Sequence, residues 1–133
     1  MAVKEIKTRV KLVNVGSESI STNTTTVLGS VDTADYDLGV TFGLYAPAFN
    51  AGSFALTFEE SDDDSTWSAV PADYLIGGAI TVTAASAAGD DIASVGIISN
   101  KRYIRPSIVS TGASGSNTLN CVAELAGELK PVS

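Results

Sequence analysis

Residues 37–45 are Asp-Leu-Gly-Val-Thr-Phe-Gly-Leu-Tyr, a stretch in which large apolar side chains occupy every second position. Successive side chains of a β-strand point to opposite faces, so this period of two predicts a strand with one face toward a core. The buried face is expected to carry Leu38, Val40, Phe42 and Leu44. Residues 53–59 repeat the pattern with Phe54, Leu56 and Phe58. Because the turn-like residues 47–52 separate the two stretches, we predict that they pair as a hairpin.

The same alternation recurs along the chain, separated by clusters of Gly, Ser, Asn and Asp that favour turns. Further strands are expected at Ile6 to Leu12, Thr24 to Leu28, Ala79 to Thr83, Ser94 to Ile98, Tyr103 to Val109 and Thr118 to Leu125. No window carries apolar residues at helical spacing, and only Pro71 to Ile76 suggests a helical turn. We therefore predict a single all-β domain, an antiparallel β-sandwich of jelly-roll type with about eight strands.

Two details of this pattern concern the first strand and a proline. The first strand is expected to bury Ile6, Thr8, Val10 and Leu12, and to expose Lys7, Arg9 and Lys11. The apolar residues then change parity, which predicts a β-bulge or a strand end near Val13. Pro106 lies within a strand-like stretch but lacks the N–H that a sheet ladder uses. We predict that its strand lies at a sheet edge or contains a break.

Length and composition limit the organisation of the chain. The 133 residues suit one domain, and 44% hydrophobic residues suffice for a core. We expect a basic N-terminal arm or first strand at 1–15 and the sandwich domain at 16–133. The single cysteine, Cys121, excludes an internal disulfide, and its parity within 119–125 predicts a buried, inert thiol.

Charge and hydropathy disfavour two classes of partner. Fifteen acidic against eight basic side chains give a net charge of −7, which repels nucleic acid and anionic lipid. The N-terminus lacks the apolar segment of a secretion signal, and no stretch approaches the length of a membrane span. We therefore expect a protein that is made in the cytoplasm and binds neither nucleic acid nor membranes.

The sequence contains no histidine, which removes Ser-His and Cys-His nucleophile pairs and the commonest proton-transfer group. Two acidic clusters, residues 59–64 and 90–91, carry oxygen ligands of the kind that calcium prefers, but solvated loop carboxylates are the favoured interpretation. We expect no catalytic residue, no cofactor and no metal. A glycoside hydrolase is the enzymatic alternative, and it requires two carboxylates in a cleft.

Basic residues form two clusters that are candidate partner-binding sites. The first lies within the first eleven residues and consists of Lys4, Lys7, Arg9 and Lys11. It belongs either to an extended arm, which would dock on an acidic patch or add a strand to a neighbouring sheet, or to the solvated face of an edge strand. The second consists of Lys101, Arg102 and Arg105. Its alternative role is internal ion pairing with the acidic residues 59–64.

Two stretches carry a resemblance to a known family. The first is LTFEESDD at 56–63, followed by Trp67 and Val70, and the second is GIISNKRYIR at 96–105. Both are similar to stretches of the capsid decoration, or cement, proteins of tailed phages, and the similarity covers residues 36–125. The resemblance implies a compact β-sandwich or jelly roll on an icosahedral shell, often a dimer or trimer over the seams between major capsid subunits. It assigns no catalytic residue.

From the residues and the resemblance together we expect a virion structural protein on the capsid exterior. It would stabilise the assembled capsid by bridging subunits of the major capsid protein, as a homo-oligomer. The alternatives are a tail-associated β-domain and a carbohydrate-binding or adhesion module. The carbohydrate-binding module would present an exposed aromatic platform around Trp67 or Tyr45.

Overall fold

The structure is a computed structural model, and it describes residues 9–34, 36, 39–83 and 93–127. Its strands are β1 (Arg9–Ser19), β2 (Thr25–Val27), β3 (Val31–Asp32), β4 (Gly39–Ala48), β5 (Ala51–Ser61), β6 (Ser68–Ala69), β7 (Leu75–Ile76), β8 (Ile80–Val82), β9 (Ala93–Ile97), β10 (Tyr103–Ser114) and β11 (Thr118–Gly127). A 3-10 turn at Ala72–Tyr74 confirms the helical turn expected there. No helix in the described part of the chain has the length and hydrophobicity of a membrane span.

The strands form two antiparallel sheets. Sheet 1 has the order β1-β11-β4-β9-β7, and sheet 2 has the order β2-β10-β5-β6, with β3 also beside β10 and β8 also beside β5. Because β2 and β3 both lie along β10, and β6 and β8 both lie along β5, each pair acts as one interrupted strand.

Counted in this way, and with the two-residue β7 set aside, eight strands wind as a jelly roll. The first strand pairs with the last, the second with the seventh, the third with the sixth and the fourth with the fifth. The predicted antiparallel sandwich of jelly-roll type is confirmed.

The core lies between the sheets and consists of the inward side chains of alternate residues. The described inward residues of β4 are Val40, Phe42 and Leu44, and those of β5 are Phe54, Leu56 and Phe58. The rings of Phe42 and Phe58 meet across the two sheets with their centroids 5.1 Å apart. Leu38, which is expected on the same face, lies outside the described residues.

Cys121 lies in β11 with its side chain buried in this core. Burial disfavours the charged thiolate and raises the pKa of the thiol to about 12. The predicted buried thiol is confirmed, and the reactive thiolate form is scarce near neutral pH.

The predicted hairpin between residues 37–45 and 53–59 is wrong. Strand β4 pairs with β11 and β9 in sheet 1, whereas β5 pairs with β10 in sheet 2. The chain therefore crosses from one sheet to the other at Phe49 and Asn50. Two strands that face each other across a core carry the same alternation as two strands that pair, so the period of two does not distinguish the arrangements.

A buried asparagine, Asn117, holds this corner. Its Oδ1 accepts hydrogen bonds from the backbone N–H groups of Asn50, at 2.7 Å, and Ala51, at 3.1 Å. Its Nδ2 donates to the carbonyls of Ile20 and Ser114, at 2.9 and 3.1 Å. The residue is 0% exposed, so these bonds join the β4–β5 corner, the end of β1 and the turn before β11 inside the protein.

Strand β1 forms one edge of sheet 1 and pairs with β11 from Arg9, opposite Gly127, to Ser19, opposite Thr118. The pairing shifts register between residues 14 and 16, which confirms a bulge close to the predicted position. Residue 15, the predicted end of an N-terminal arm or first strand, thus lies within this pairing.

The predicted burial of Leu12 is wrong. Leu12 is opposite Glu124 and is 74% exposed, whereas Val13 is opposite the buried Ala123 and packs against the core. Directly opposite residues of an antiparallel pair point to the same face, so the inward residues of β11 determine which residues of β1 point inward. The side chains of Ile6, Thr8 and Val10 lie outside the described residues.

The prediction that Pro106 marks a sheet edge or a break in its strand is also wrong. Strand β10 is continuous and lies between β5 and the interrupted strand β2–β3. The Pro106 carbonyl accepts a hydrogen bond from the Leu28 N–H at 2.9 Å, so the backbone of Pro106 faces the gap between β2 and β3. Its pair with Phe58 of β5 is therefore a non-hydrogen-bonded pair, and the missing N–H costs no bond on that side.

Candidate functional site

The two stretches that resemble decoration proteins come together at one end of the sandwich. Residues 56–63 form the end of β5 and the start of the loop after it, and residues 96–105 run from β9 into β10. Three side-chain contacts join them, and these are Lys101 with Asp62, Arg105 with Glu59 and Ser99 with Glu60. We call this surface, residues 59–63 and 97–105, the motif end. Its contacting residues are 39 to 46 positions apart in the sequence.

Two cations of the second predicted cluster pair with the acidic stretch, as expected for internal pairing. Lys101 Nζ lies 2.8 Å from Asp62 Oδ2, and a guanidinium nitrogen of Arg105 lies 2.9 Å from Glu59 Oε1. The hydrogen bond that Lys101 donates to Asp62 stabilises the charged ammonium and raises the pKa of Lys101. The Lys101 and Asp62 side chains are 41% and 70% exposed, so this pair contributes little to stability and leaves both charges accessible.

The third cation, Arg102, pairs with a different acid, Asp32 of β3. Its Nε and a terminal nitrogen donate to the two carboxylate oxygens at 2.9 and 2.8 Å, in the bidentate arrangement that favours arginine. These hydrogen bonds lower the pKa of Asp32, and the nearby charge of Lys11 also lowers it. Lys11 of the first predicted cluster and Arg102 of the second therefore act on the same carboxylate.

The structure describes the first cluster only in part. Lys4 and Lys7 lie outside the described residues, Arg9 begins β1, and Lys11 follows on the same strand. Lys11 is exposed at the edge of sheet 1, where a cation discourages unwanted strand pairing. The partner-binding role of both clusters stays a prediction.

Arg105 is held between an acid and an aromatic ring. Its guanidinium carbon lies 4.2 Å from the centre of the Trp67 ring while Glu59 binds its nitrogens, so one face of Trp67 is covered. Tyr45 belongs to sheet 1, where its hydroxyl accepts a hydrogen bond from Asn120 at 3.2 Å. Trp67 instead stacks on a residue of sheet 2, so the two aromatic residues belong to separate surfaces.

The acidic loop after β5 is organised by its own hydrogen bonds. Oδ1 of Asp63 accepts three of them, from the N–H of Thr66 (2.8 Å), the N–H of Ser65 (3.0 Å) and the hydroxyl of Ser61 (2.9 Å). These bonds, with that from Thr66 as the largest cause, lower the pKa of Asp63. The described part of the chain contains no group of three acidic or cysteine side chains placed to hold a metal ion. The second acidic cluster, residues 90–91, lies outside that part.

A cleft of about 610 Å³ opens at the motif end. Its floor includes the buried side chains of Val40, Ile97 and Ile104, and the charged residues at 101–102 contribute to its polar walls. The volume is typical of sites that bind a small molecule or a few residues of a partner. Asp62 is the only carboxylate among the described residues that line it, whereas a glycosidase requires two.

Exposed apolar side chains collect beside this cleft. Three of the five large hydrophobic residues exposed in the described structure are Ile98 at 59%, Ile76 at 57% and Tyr74 at 37%. Ile76 is opposite Gly96 in the β7–β9 pair, and the Ile98 N–H donates to the Tyr74 carbonyl at 3.0 Å. Alternation places Ile76 and Ile98 on the outer face of sheet 1, with Tyr74 next to them in the chain and by this bond, and we call the three residues the β7 patch. The pattern of residues 71–76 predicts a helical turn and gives no sign of this patch.

No family model matches the sequence, and no curated protein matches it. Among solved structures, the crystal structure of the PBSX exported protein XepA is similar, with a TM-score of 0.56 and 16% sequence identity. The similarity covers 92% of this chain and 39% of XepA, so this chain spans less than half the length of that protein. At this level of identity the comparison establishes a shared fold.

Proposed function

We propose that this chain is a non-enzymatic virion structural protein that binds the outside of an assembled tailed-phage capsid and stabilises it by bridging major capsid subunits. The observation that carries the proposal is the motif end. Two stretches that resemble decoration proteins, and that are distant in the sequence, form one surface through direct contacts. We therefore expect the surface that both stretches form to contact the partner, as in the decoration proteins that the stretches resemble.

The motif end offers exposed charged groups to a partner, since the Lys101 and Asp62 side chains of its ion pair are 41% and 70% exposed. No single contact has to be strong, because a protein that binds two capsid subunits makes its second contact at a high effective concentration.

The fold supports the proposal less strongly than the surface does. A jelly roll is a rigid scaffold that presents loops at its ends, and this suits a protein that holds subunits together. The shared fold with the PBSX exported protein XepA favours a phage-associated protein. The same fold serves many functions, so the motif end is more specific for this function than the fold is.

Binding to capsids that lack this protein tests the proposal. Purified protein is mixed with such capsids, and bound protein is measured by co-sedimentation and located by cryo-electron microscopy. We expect saturable binding at a fixed number of copies per capsid, on the outer surface, together with a higher temperature of capsid disruption. Attachment to tails alone, or binding that leaves the disruption temperature unchanged, would contradict the proposal.

The carbohydrate-binding alternative makes a different prediction. A sugar-binding module would release or absorb heat on titration with glycans and would bind them as a monomer. We expect no saturable heat with a panel of bacterial cell-surface glycans, because Arg105 covers one face of Trp67 and Tyr45 lies on another surface.

A further inference from the structure

The cleft at the motif end and the β7 patch adjoin each other at Ile98. Ile98 belongs to both, since it lines the cleft and is 59% exposed beside Ile76. A concentration of exposed hydrophobic side chains at one place on a small protein indicates a surface that is covered in the functional state.

The net charge of the molecule indicates which charge a partner that covers this surface should carry. The first eight residues carry two cations and one anion, so the other 125 residues carry six cations and fourteen anions, a net charge of −8. The three described cations at the motif end are already paired with Asp62, Asp32 and Glu59. An occupant that is aliphatic and basic therefore complements both the apolar surface and the negative body.

The chain itself contains a segment with this chemistry. Residues 1–8, Met-Ala-Val-Lys-Glu-Ile-Lys-Thr, combine the aliphatic Val3 and Ile6 with two lysines. They precede β1 at Arg9, which is opposite Gly127, and the neighbouring Ala126 is opposite Gly39 in the wall of the cleft. The segment therefore starts at the end of the sandwich where the cleft opens.

The length and the composition of residues 1–8 favour binding to a second copy of the protein over binding to the same copy. Eight extended residues span up to about 27 Å, enough to cross into a neighbouring molecule. The segment contains no Gly, Pro, Asn or Asp, the residues that favour a turn back across the sandwich. A continuation in the direction of β1 leads away from the sheet end and toward a molecule that faces it.

We propose that the cleft and the β7 patch of one copy bind residues 1–8 of a second copy, and that reciprocal exchange of these segments forms a two-fold symmetric dimer. Val3 and Ile6 supply apolar side chains for the cleft and patch, and Lys4 and Lys7 reduce the repulsion between two acidic bodies. The exchange closes after two copies, because the copy that accepts a segment returns its own segment to the same partner. This inference names the homo-oligomer contact within the proposed function.

Purified protein without any capsid tests the exchange. Light scattering coupled to size-exclusion chromatography should give twice the 13.6 kDa mass of one chain for the full protein and a single-chain mass after deletion of residues 1–8. The variant Ile98→Asp should raise the dissociation constant of the dimer at least about tenfold. The matched variant Val27→Asp, which places the same charge at a 50% exposed position of β2 on sheet 2, should not change it.

A peptide measurement shows where the segment binds. A fluorescent peptide of residues 1–11 should bind the deletion protein in anisotropy titrations, and should bind its Ile98→Asp form at least about tenfold more weakly. Circular dichroism melts confirm that each variant is folded.

A dimer that survives deletion of residues 1–8 overturns the exchange, as does a peptide that does not bind. A full-length protein that stays monomeric while the deletion protein binds the peptide also overturns it, because the segment then occupies the cleft of its own copy. None of these outcomes concerns capsid binding, so a monomer that still binds capsids leaves the proposed function standing.

Discussion

The side chain of Asn117 joins three segments of the chain through its hydrogen bonds. The Gly, Ser and Asn residues at 112–117 predict a turn, and the structure has a turn there. Composition does not indicate that the last residue of this turn is enclosed, because its partners Asn50, Ala51 and Ile20 are 66 to 97 positions away. Burial of a polar residue by distant segments has no local signal in the sequence.

Replacement of Asn117 by alanine should be strongly destabilising. The backbone N–H groups of Asn50 and Ala51 and the carbonyl of Ile20 would lose a buried partner, at a total cost of about 2–4 kcal/mol in the free energy of unfolding. Urea unfolding followed by fluorescence measures this cost. The exposed neighbour Ser116→Ala serves as the control and should change the value by less than about 0.5 kcal/mol. Equal stability of the two variants would show that the corner does not need Asn117.

Cys121 makes the stability of the fold sensitive to alkaline pH. Its thiol pKa rises from 9.0 to about 12 on folding, so the unfolded chain loses this proton at a lower pH than the folded protein does. The stabilising contribution is complete below pH 9 and declines as the pH rises toward 12, by at most about 1.4 kcal/mol per pH unit.

The variant Cys121→Ala isolates this contribution from other groups that titrate at high pH. The wild-type protein should be the more stable at pH 8, and the difference in unfolding free energy should narrow between about pH 9.5 and pH 11, which lie between the thiol pKa of the unfolded and of the folded chain. A difference that stays constant with pH would mean that the folded thiol titrates as it does in the unfolded chain.

For individual strands, the sequence predicts position well and pairing poorly. Each strand expected within the described residues has a counterpart, because alternation over several residues is a local property. Strands β3, β6 and β7 have two residues each and offer no period to detect. Pairing depends on contacts between distant segments, which explains the wrong hairpin between β4 and β5 and the wrong inward face of Leu12.

The candidate site, like the strands, is predicted only in part by the sequence. Opposite charges in residues 59–64 and 101–105 indicate the ion pairs of Lys101 and Arg105, and the structure contains them. The partner of Arg102 is Asp32, which lies in a strand too short to be predicted. The cleft could not be predicted, because its walls come from β4, β9, β10 and residues 33, 34 and 36.

The position of Pro106 inside β10 leads to a pair of contrasting variants. Pro106→Ala restores an N–H that faces the Leu28 side of the strand, and it should change the free energy of unfolding by less than about 1 kcal/mol. Ser107→Pro removes an N–H from a hydrogen-bonded pair with Thr57 of β5, and it should cost at least about 2 kcal/mol. Thermal unfolding compares the two variants. If Pro106→Ala is the more damaging, the assignment of the hydrogen-bonded pairs is wrong.

For the molecule as a whole, β1 limits how much of the N-terminus can be removed. Deletion of residues 1–8 leaves every β1–β11 pair of the described residues in place, so the protein should still melt cooperatively. Deletion of residues 1–15 removes seven residues of β1 and leaves one edge of β11 unpaired. We expect this longer deletion to lower the melting temperature by about 10 °C or more, or to abolish cooperative melting, as measured by circular dichroism. A cooperative melt near the wild-type temperature would support a domain that starts at residue 16.

The neighbouring positions of Arg9 and Gly127 on adjacent strands have a practical consequence. A short glycine-rich linker between these two residues would make the backbone circular without changing the order of the strands in the sheets. New chain ends can then be opened at the exposed turn of Gly77 and Gly78, where an added Cβ would have no atom within 4 Å. Such a circular permutant should fold, and a cargo protein fused at the new ends would be displayed next to β7 instead of beside β1 and β11.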